Sequence, residues 1–391
     1  MAPTLAITPC EARLVRRRLV PVLVVLPLLI SACSKGADAG PAGPAETTAP
    51  GSSSAPGGSP SSAQSGPAVA RAVVDGVVGR GLEAPWGMTF LPDGSALVSE
   101  RDSDRVVRVS ADGEIDVVGR VAGVDGSGEG GLLGLALSPA YDEDSTLFAY
   151  FTAGSENVIV RLTYDGEGLS DQRTVFGGIP AGPIHNGGRI AFGPDGFLYV
   201  GTGESGQTDL AQDRDSLGGK ILRITADGDP APGNPFAGSP VYSLGHRNVQ
   251  GLAWDENGQL WAAEFGQNTW DELNRIRAGG NYGWPEVEGR GGEGDFIDPV
   301  RQWSTDKASP SGIAVAGGSV FMAGLRGERL WQIPIPDGKA GRPRPLLAGE
   351  YGRLRAVTEA PDGSLWVLTN NTDGRGSPRS GDDKVLRLTL S

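Results

Sequence analysis

Trp86-Gly87-Met88-Thr89-Phe90-Leu91-Pro92-Asp93-Gly94-Ser95-Ala96-Leu97-Val98 reads as a strand, a tight turn and a second strand. Asp-Gly supplies the turn, and short runs of apolar and β-branched residues flank it. The unit recurs. Gly134-Leu135-Ala136-Leu137-Ser138-Pro139 leads into Leu147-Phe148-Ala149-Tyr150-Phe151 in the same way, and Arg189–Val200 and Gly251–Trp261 repeat it with Asp195-Gly196 and Asn257-Gly258 turns. A fifth copy is Gly312-Ile313-Ala314-Val315 followed by Ser319-Val320-Phe321-Met322, and the sixth is Ala356–Val367 with Asp362-Gly363. Several copies are followed by a run expected to be an outer strand with an exposed arginine between apolar residues: Val107-Arg108-Val109, Val160-Arg161-Leu162, Leu222-Arg223-Ile224 and Leu386-Arg387-Leu388. No window sustains a helical period over the roughly 10 residues a helix needs. Intervals of roughly 43–63 residues suit four-stranded blades with variable loops. The expectation is an all-β chain, a six-bladed β-propeller over 72–391; a β-sandwich accommodates six near-equal repeats poorly.

The residues before the repeats have a different texture. Arg13, Arg16, Arg17 and Arg18 precede an apolar run from Leu19 to Ile30, and Ser31-Ala32-Cys33 follows. Basic, apolar and small residues in that order mark an export signal. The run spans roughly 18 Å as a helix, too short for a hydrocarbon core of about 30 Å. Leu29-Ile30-Ser31-Ala32-Cys33 resembles the bacterial lipobox, which implies a signal peptide over 1–32 and acylation of Cys33. Arg16-Arg17-Arg18-Leu19 fits twin-arginine export and an ordinary basic leader equally. Residues 33–71 are almost entirely Ala, Gly, Ser, Pro and Thr, a composition that cannot bury enough apolar surface to offset its chain entropy. They are expected to form a disordered tether with an end-to-end distance on the order of 35 Å. The expected location is therefore outside the cell membrane, held by a lipid anchor alone.

Cys10 and Cys33 are the only cysteines, so the repeats contain no disulfide, thiolate nucleophile, haem-attachment motif or zinc cluster. The chain carries a net charge of −13, and losing residues 1–32 removes four arginines and one glutamate, giving −16. So acidic a domain is a poor match for nucleic acid. Two stretches match GxGxxG, at Gly126–Gly131 and Gly201–Gly206. Neither is followed by a helix pattern, as a dinucleotide site requires, so these glycines are expected to let loop backbone approach something closely.

Only two histidines exist, His185 and His246, both in glycine-flanked polar loops. Each loop immediately precedes the first strand of a repeat, so both should open on one mouth of the propeller. Arg353 and Arg355 hold the equivalent place before the sixth repeat, Glu129 lies before the second, and Arg326 follows the second strand of the fifth. With Arg247 beside His246 in its loop, one imidazole and four arginines thus point to a common funnel, and so many like charges call for an anionic partner.

His185-Asn186-Gly187-Gly188-Arg189, Gly245-His246-Arg247-Asn248-Val249-Gln250-Gly251 and Gly279-Gly280-Asn281-Tyr282-Gly283-Trp284-Pro285 together resemble the soluble quinoprotein glucose and aldose sugar dehydrogenases. Gly131-Leu132-Leu133-Gly134 and the Arg353-Leu354-Arg355 pair belong to the same pattern, and the resemblance runs from about Ala84 to Leu390. It implies a six-bladed propeller holding pyrroloquinoline quinone (PQQ) and Ca²⁺ in its funnel. His185 would be the base that takes the anomeric hydroxyl proton while hydride passes from C1 to the quinone. Arg247 would stabilise charge developing on the quinone carbonyls, Arg353 and Arg355 would clamp cofactor carboxylates, and Asn248 would add a hydrogen bond. Backbone carbonyls of Gly266 and Gln267 would bind the cofactor's Ca²⁺, and Glu272 with the backbone near Tyr282 a second, structural Ca²⁺. Three positions depart from the glucose-oxidising members. Arg326 stands for lysine and Glu129 for glutamine in the cofactor-binding set, and Ile184 replaces an acidic neighbour of the base. Short loops between Trp284 and Ser309 suggest an open funnel and a broad aldose range.

The function expected is oxidation of aldoses to lactones, with electrons passed to an external acceptor because no haem or flavin signature is present. The alternative is an extracellular propeller that binds glycans or a protein partner without turnover. A lactonase-type hydrolytic propeller would need a central Asp, Glu and Asn cluster that the loops before the repeats do not supply.

Overall fold

The computed structural model describes residues 70–391. They form six four-stranded antiparallel sheets, the blades of a propeller. Each sequence repeat supplies the first two strands of a blade. The innermost strands are Pro85–Phe90, Leu132–Leu137, Ile190–Phe192, Val249–Trp254, Pro310–Ala316 and Leu354–Glu359. The proposed boundaries at 1–32 and 33–71, Cys33 included, lie outside the described residues except for 70 and 71. Among the described residues the longest helix has four residues, and none is long and apolar enough to cross a membrane.

The arginine-bearing strands are third in their blades, not outermost, and their arginines are not exposed. Arg223 is 9% exposed, and Arg108, Arg161 and Arg387 are partly buried. The repeat itself explains this. Asp93, Asp195 and Asp362, each just before a turn glycine, bind Arg108 at 2.7 Å, Arg223 at 2.9 Å and Arg387 at 2.7 Å. One carboxylate therefore holds both the hairpin and the third strand. The sequence pattern places an arginine in that strand but not the aspartate that folds over it.

Blade six draws on both ends of the domain. Ala72–Arg80 pairs antiparallel with Lys384–Leu390, from Ala72 opposite Leu390 to Arg80 opposite Lys384. This closes the ring and covers what would be a bare sheet edge. The apolar core is split into six clusters, one per junction between neighbouring blades. Leu97 and Val106 meet Leu135 and Ala149, for example, and Phe321 and Leu330 meet Val367 and Leu386.

Near the axis the inner strands come so close that backbone meets backbone. A Cβ on Gly87 would lie 2.6 Å from the Leu133 carbonyl oxygen, and one on Gly134 2.2 Å from that of Gly188. Gly251 and Gly312 face the next strand with the same tightness. Gly134→Ala should accordingly lose about 1–3 kcal/mol or more from this overpacking. Gly76→Ala, where nothing lies within 4 Å, should stay within about 0.5 kcal/mol of the parent. Urea denaturation of the two variants checks this, and equal losses would contradict it.

Candidate active site

Loops that precede the inner strands converge on one mouth, around a cavity of about 400 Å³. Its lining is strongly cationic. Arg101, Arg326, Arg353, Arg355 and Arg375 face it, against the carboxylates of Glu129 and Asp373.

His185 stands behind this cavity in a turn that the sequence builds from its neighbours. Its own φ is +57°, and Gly187 and Gly188 follow at +64° and +108°. A Cβ at Gly203 would lie 1.9 Å from the His185 carbonyl oxygen. The ring is held at both nitrogens. Nδ1 lies 2.7 Å from Glu204 Oε1 and Nε2 lies 2.9 Å from Arg247 Nη2. A guanidinium can only donate, so Nε2 keeps its lone pair and Nδ1 carries the proton that Glu204 accepts. The result is a neutral imidazole with its basic atom aimed at Arg247. Glu129 lines the cavity while its Oε2 accepts the His185 N–H at 3.0 Å and its Oε1 binds Arg375 at 2.7 Å. Burial opposes ionisation there, yet the His185 N–H and Arg375 keep Glu129 below the ordinary carboxylate range.

Arg247 is held by Gln267 Oε1, to which Nε and Nη2 donate at 3.0 and 2.6 Å. It lies 5.5 Å from the centre of the Trp284 ring. Burial lowers its pKa, against the pull of Glu204. Asn248 Oδ1 accepts the Gly187 N–H at 2.9 Å, leaving its buried Nδ2 without a partner.

On the far wall, Asp373 takes Arg353 at 2.9 Å and lies 3.6 Å from Arg355. Arg355 also donates to Gln250 Oε1 at 2.9 Å and Asn370 Oδ1 at 3.1 Å. Desolvation pulls Arg355 down to about 9. The Nε atoms of Arg353 and Arg355 are buried and have no partner among the described residues.

His246 belongs to the scaffold. It is fully buried, stacked on Tyr282 at 4.7 Å, with Nδ1 2.8 Å from Glu264 Oε1 and Nε2 2.8 Å from Ser243 Oγ. Glu264 also accepts the Arg247 N–H at 2.8 Å, so a single buried carboxylate sets the loop that carries Arg247. Asn274 Nδ2 bridges Glu264 at 2.9 Å and Glu272 at 3.0 Å, and Asn274 Oδ1 is buried without a donor. Burial and the adjacent Glu264 push Glu272 up to about 8. In the next loop the Gly266 N–H donates to Asp271 Oδ1 at 3.0 Å, and Glu288 Oε1 accepts four consecutive N–H groups from Gln267 to Trp270.

Residues 82–380 match the family model for glucose/sorbosone dehydrogenase. The chain belongs to that family. Among its relatives is the aldose sugar dehydrogenase of Escherichia coli, 30% identical over 76% of this chain and 91% of that protein. Quinoprotein glucose dehydrogenase B of Acinetobacter calcoaceticus is 32% identical over 53% of this chain and 51% of its own length. The solved PQQ-bound aldose sugar dehydrogenase of Streptomyces coelicolor is 61% identical, covers 84% of this chain and all of its own, and superposes with a TM-score of 0.81.

Within this family member, Glu129, Arg326, Arg353 and Arg355 line the cavity, and His185, Arg247 and Asn248 form a connected cluster beside it. Gly266 and Gln267 adjoin Arg247 through the Gln267 side chain. Glu272 and Tyr282 lie farther back, and the Tyr282 phenol is engaged by the Arg275 carbonyl and the Arg277 N–H. Sequence reasoning missed Glu204, Asp373, Arg101, Arg375 and Trp86. Glu204 was within reach, because it sits in the second glycine-rich stretch dismissed as a dinucleotide loop. The glycines of the first stretch do allow close approach, a Cβ on Gly131 falling 2.3 Å from the Arg101 carbonyl oxygen.

The segment that bears Glu204 is tied down by Lys220. Its fully buried ammonium donates to the carbonyls of Leu210, Ala211 and Gly218 at 2.6, 3.1 and 2.7 Å. Lys220→Met would leave the Leu210 and Gly218 carbonyls unpaired, each at about 1–3 kcal/mol, while the Ala211 carbonyl keeps the Gly245 N–H at 2.9 Å. Equilibrium unfolding should show a loss of about 2 kcal/mol or more, and an unchanged midpoint would refute the clamp.

Proposed function

We propose that this chain oxidises aldoses at C1 to lactones with PQQ as cofactor, using His185 as the base. The observation that carries the reading is the neutral His185, fixed between Glu204 and Arg247 beside a cavity lined by five arginines and two carboxylates. A proton acceptor next to an anion cradle suits this chemistry better than glycan binding without turnover, which needs no such base.

PQQ is a planar quinone with three carboxylates, and the cavity has an excess of three positive charges. The unpartnered Nε–H of Arg353 and of Arg355 and the Nδ2–H of Asn248 are donors suited to its oxygens. Arg326, exposed and lining the same cavity, adds a mobile cation. The carbonyls of Gly266 and Gln267 fit the cofactor's Ca²⁺ as hard oxygen donors. Two carbonyls fall well short of the roughly 6–8 oxygens Ca²⁺ takes, so cofactor and water would complete the shell. For a second Ca²⁺, Glu272 beside Glu264, with the donorless Asn274 Oδ1 next to both, is the place where a cation would relieve paired buried carboxylates. The Tyr282 backbone would add a further oxygen.

When bound, the quinone supplies the two-electron acceptor for the hydride that leaves C1. His185 Nε2 takes the proton of the anomeric hydroxyl, its lone pair released from Arg247 to the substrate. Glu204 stabilises the imidazolium so formed, through the proton it already accepts at Nδ1. Arg247 keeps a fixed positive charge where negative charge grows. The exposed Ile184 gives the rim above the base an apolar edge, in keeping with a broad aldose range. We further propose that residues 1–32 are an export signal, that Cys33 is lipidated, and that 33–71 tether the propeller on the outer face of the membrane. An external acceptor would then collect the electrons.

Protein loaded with PQQ and Ca²⁺ should reduce an artificial dye when aldoses are added, and chelation should abolish the activity until Ca²⁺ is restored. Absence of both PQQ binding and dye reduction would sink the assignment. His185→Ala should still bind PQQ, measured by its absorbance, while kcat falls by about 10²–10⁴. Arg355→Ala should weaken PQQ binding by about tenfold or more, as loss of a charged hydrogen bond implies. A fully active His185→Ala enzyme would remove the base from the mechanism.

A further inference from the structure

Arg189 carries a charge that the chemistry above leaves unused. It is 8% exposed, its Nε donates to the Gln250 carbonyl at 2.8 Å, and its buried Nη2 has no partner among the described residues. None of the ion pairs among the described residues includes it. Its guanidinium lies on Trp86, 4.3 Å from the ring centre, while Arg355 approaches the same ring at 5.8 Å. The nearest charged neighbour across that ring is thus another cation. Burial pulls Arg189 down to about 9, so it stays charged at neutral pH. An unpaired ion this deep is strongly destabilising unless an anion joins it.

The cofactor does not supply that anion. On the reading above, the five cavity arginines and the cofactor's Ca²⁺ already outnumber Glu129, Asp373 and three cofactor carboxylates, which leaves no anion there for Arg189. Arg189 opens the other way, into a second cavity of about 530 Å³ that runs between the six inner strands. Most of its lining side chains are apolar, among them Met88, Leu135, Ile190, Leu252 and Ile313, with polar backbone also facing the cavity. Among the lining residues Glu359 is the one carboxylate, at the last position of its strand, and it makes no ion pair.

We propose that this axial channel binds a small monoanion of the halide class on Arg189. One guanidinium offers one compensating charge, so a multivalent anion would be left with excess negative charge in apolar surroundings. A halide needs no directed donor beyond the free Nη2 of Arg189, and its single, spherical charge makes no further demand on the cavity. The ion would neutralise the axis from beneath without competing for the cofactor cavity, so the site should fill with or without PQQ.

Crystals of the protein, with and without PQQ, soaked in sodium bromide should give an anomalous peak at the Arg189 guanidinium. Bromide should also raise the melting temperature relative to sodium gluconate at equal ionic strength. Arg189→Met should lose both responses. An empty or water-filled channel at saturating bromide overturns the proposal. So does a peak accompanied by the same thermal response in the parent and Arg189→Met, which would mark an adventitious ion only. Because apo crystals give the same readout, failure here is distinct from failure of the PQQ assignment.

Discussion

Close approach of the six inner strands around the axis is the constraint on which the rest of this molecule depends. With Gly87, Gly134, Gly251 and Gly312 at the contacts, neighbouring backbones meet at distances no Cβ could share. That tightness brings the loops before each strand to one mouth. It lets groups 62 positions apart in the chain, such as His185 and Arg247, sit at hydrogen-bond distance. The apolar core serves this arrangement from outside. It is split into wedges between blades, and each wedge presses one inner strand toward the axis. Pairing of Ala72–Arg80 with Lys384–Leu390 keeps the ring from opening.

Such a centre collects buried polar groups that must be satisfied locally. Carboxylates do most of that. Glu204 holds His185, Glu264 holds His246 and the Arg247 backbone, Asp373 holds Arg353, and Glu288 caps a run of four N–H groups. The donors left over are equally informative. Four of them, Arg189 Nη2, Arg353 Nε, Arg355 Nε and Asn248 Nδ2, are buried and unpaired among the described residues and lie on or just before inner strands. Unpaired buried donors are costly, and those that face the central cavities mark where ligands belong.

Much of the fold was legible because its signals are local. A hairpin with Asp-Gly at its turn is written in consecutive residues, and six copies of it leave little choice of architecture. The third-strand arginines were legible as a pattern but not in their setting, because the aspartate that buries Arg223 lies 28 positions away. The site divides in the same way. His185, Arg247 and Arg353 stand just before the inner strands and Arg355 at the start of one, so their convergence followed from the repeat count. Glu204 and Asp373 lie after the second strand of their blades, where no periodicity flags them.

The sequence by itself determined the propeller, its six blades, and the mouth to which its charged loops belong, because strand, turn and repeat are encoded between near neighbours. Tertiary structure alone decided which histidine is free to react. His185 and His246 occupy similar glycine-flanked loops, and each finds a glutamate at Nδ1. What separates them is the other nitrogen and the surroundings. His246 meets Ser243 and stacks, fully buried, on Tyr282, while His185 turns its lone pair to Arg247 beside the cationic cavity. That difference is a matter of which blades stand opposite each loop, a long-range packing outcome that neither loop carries in its own residues.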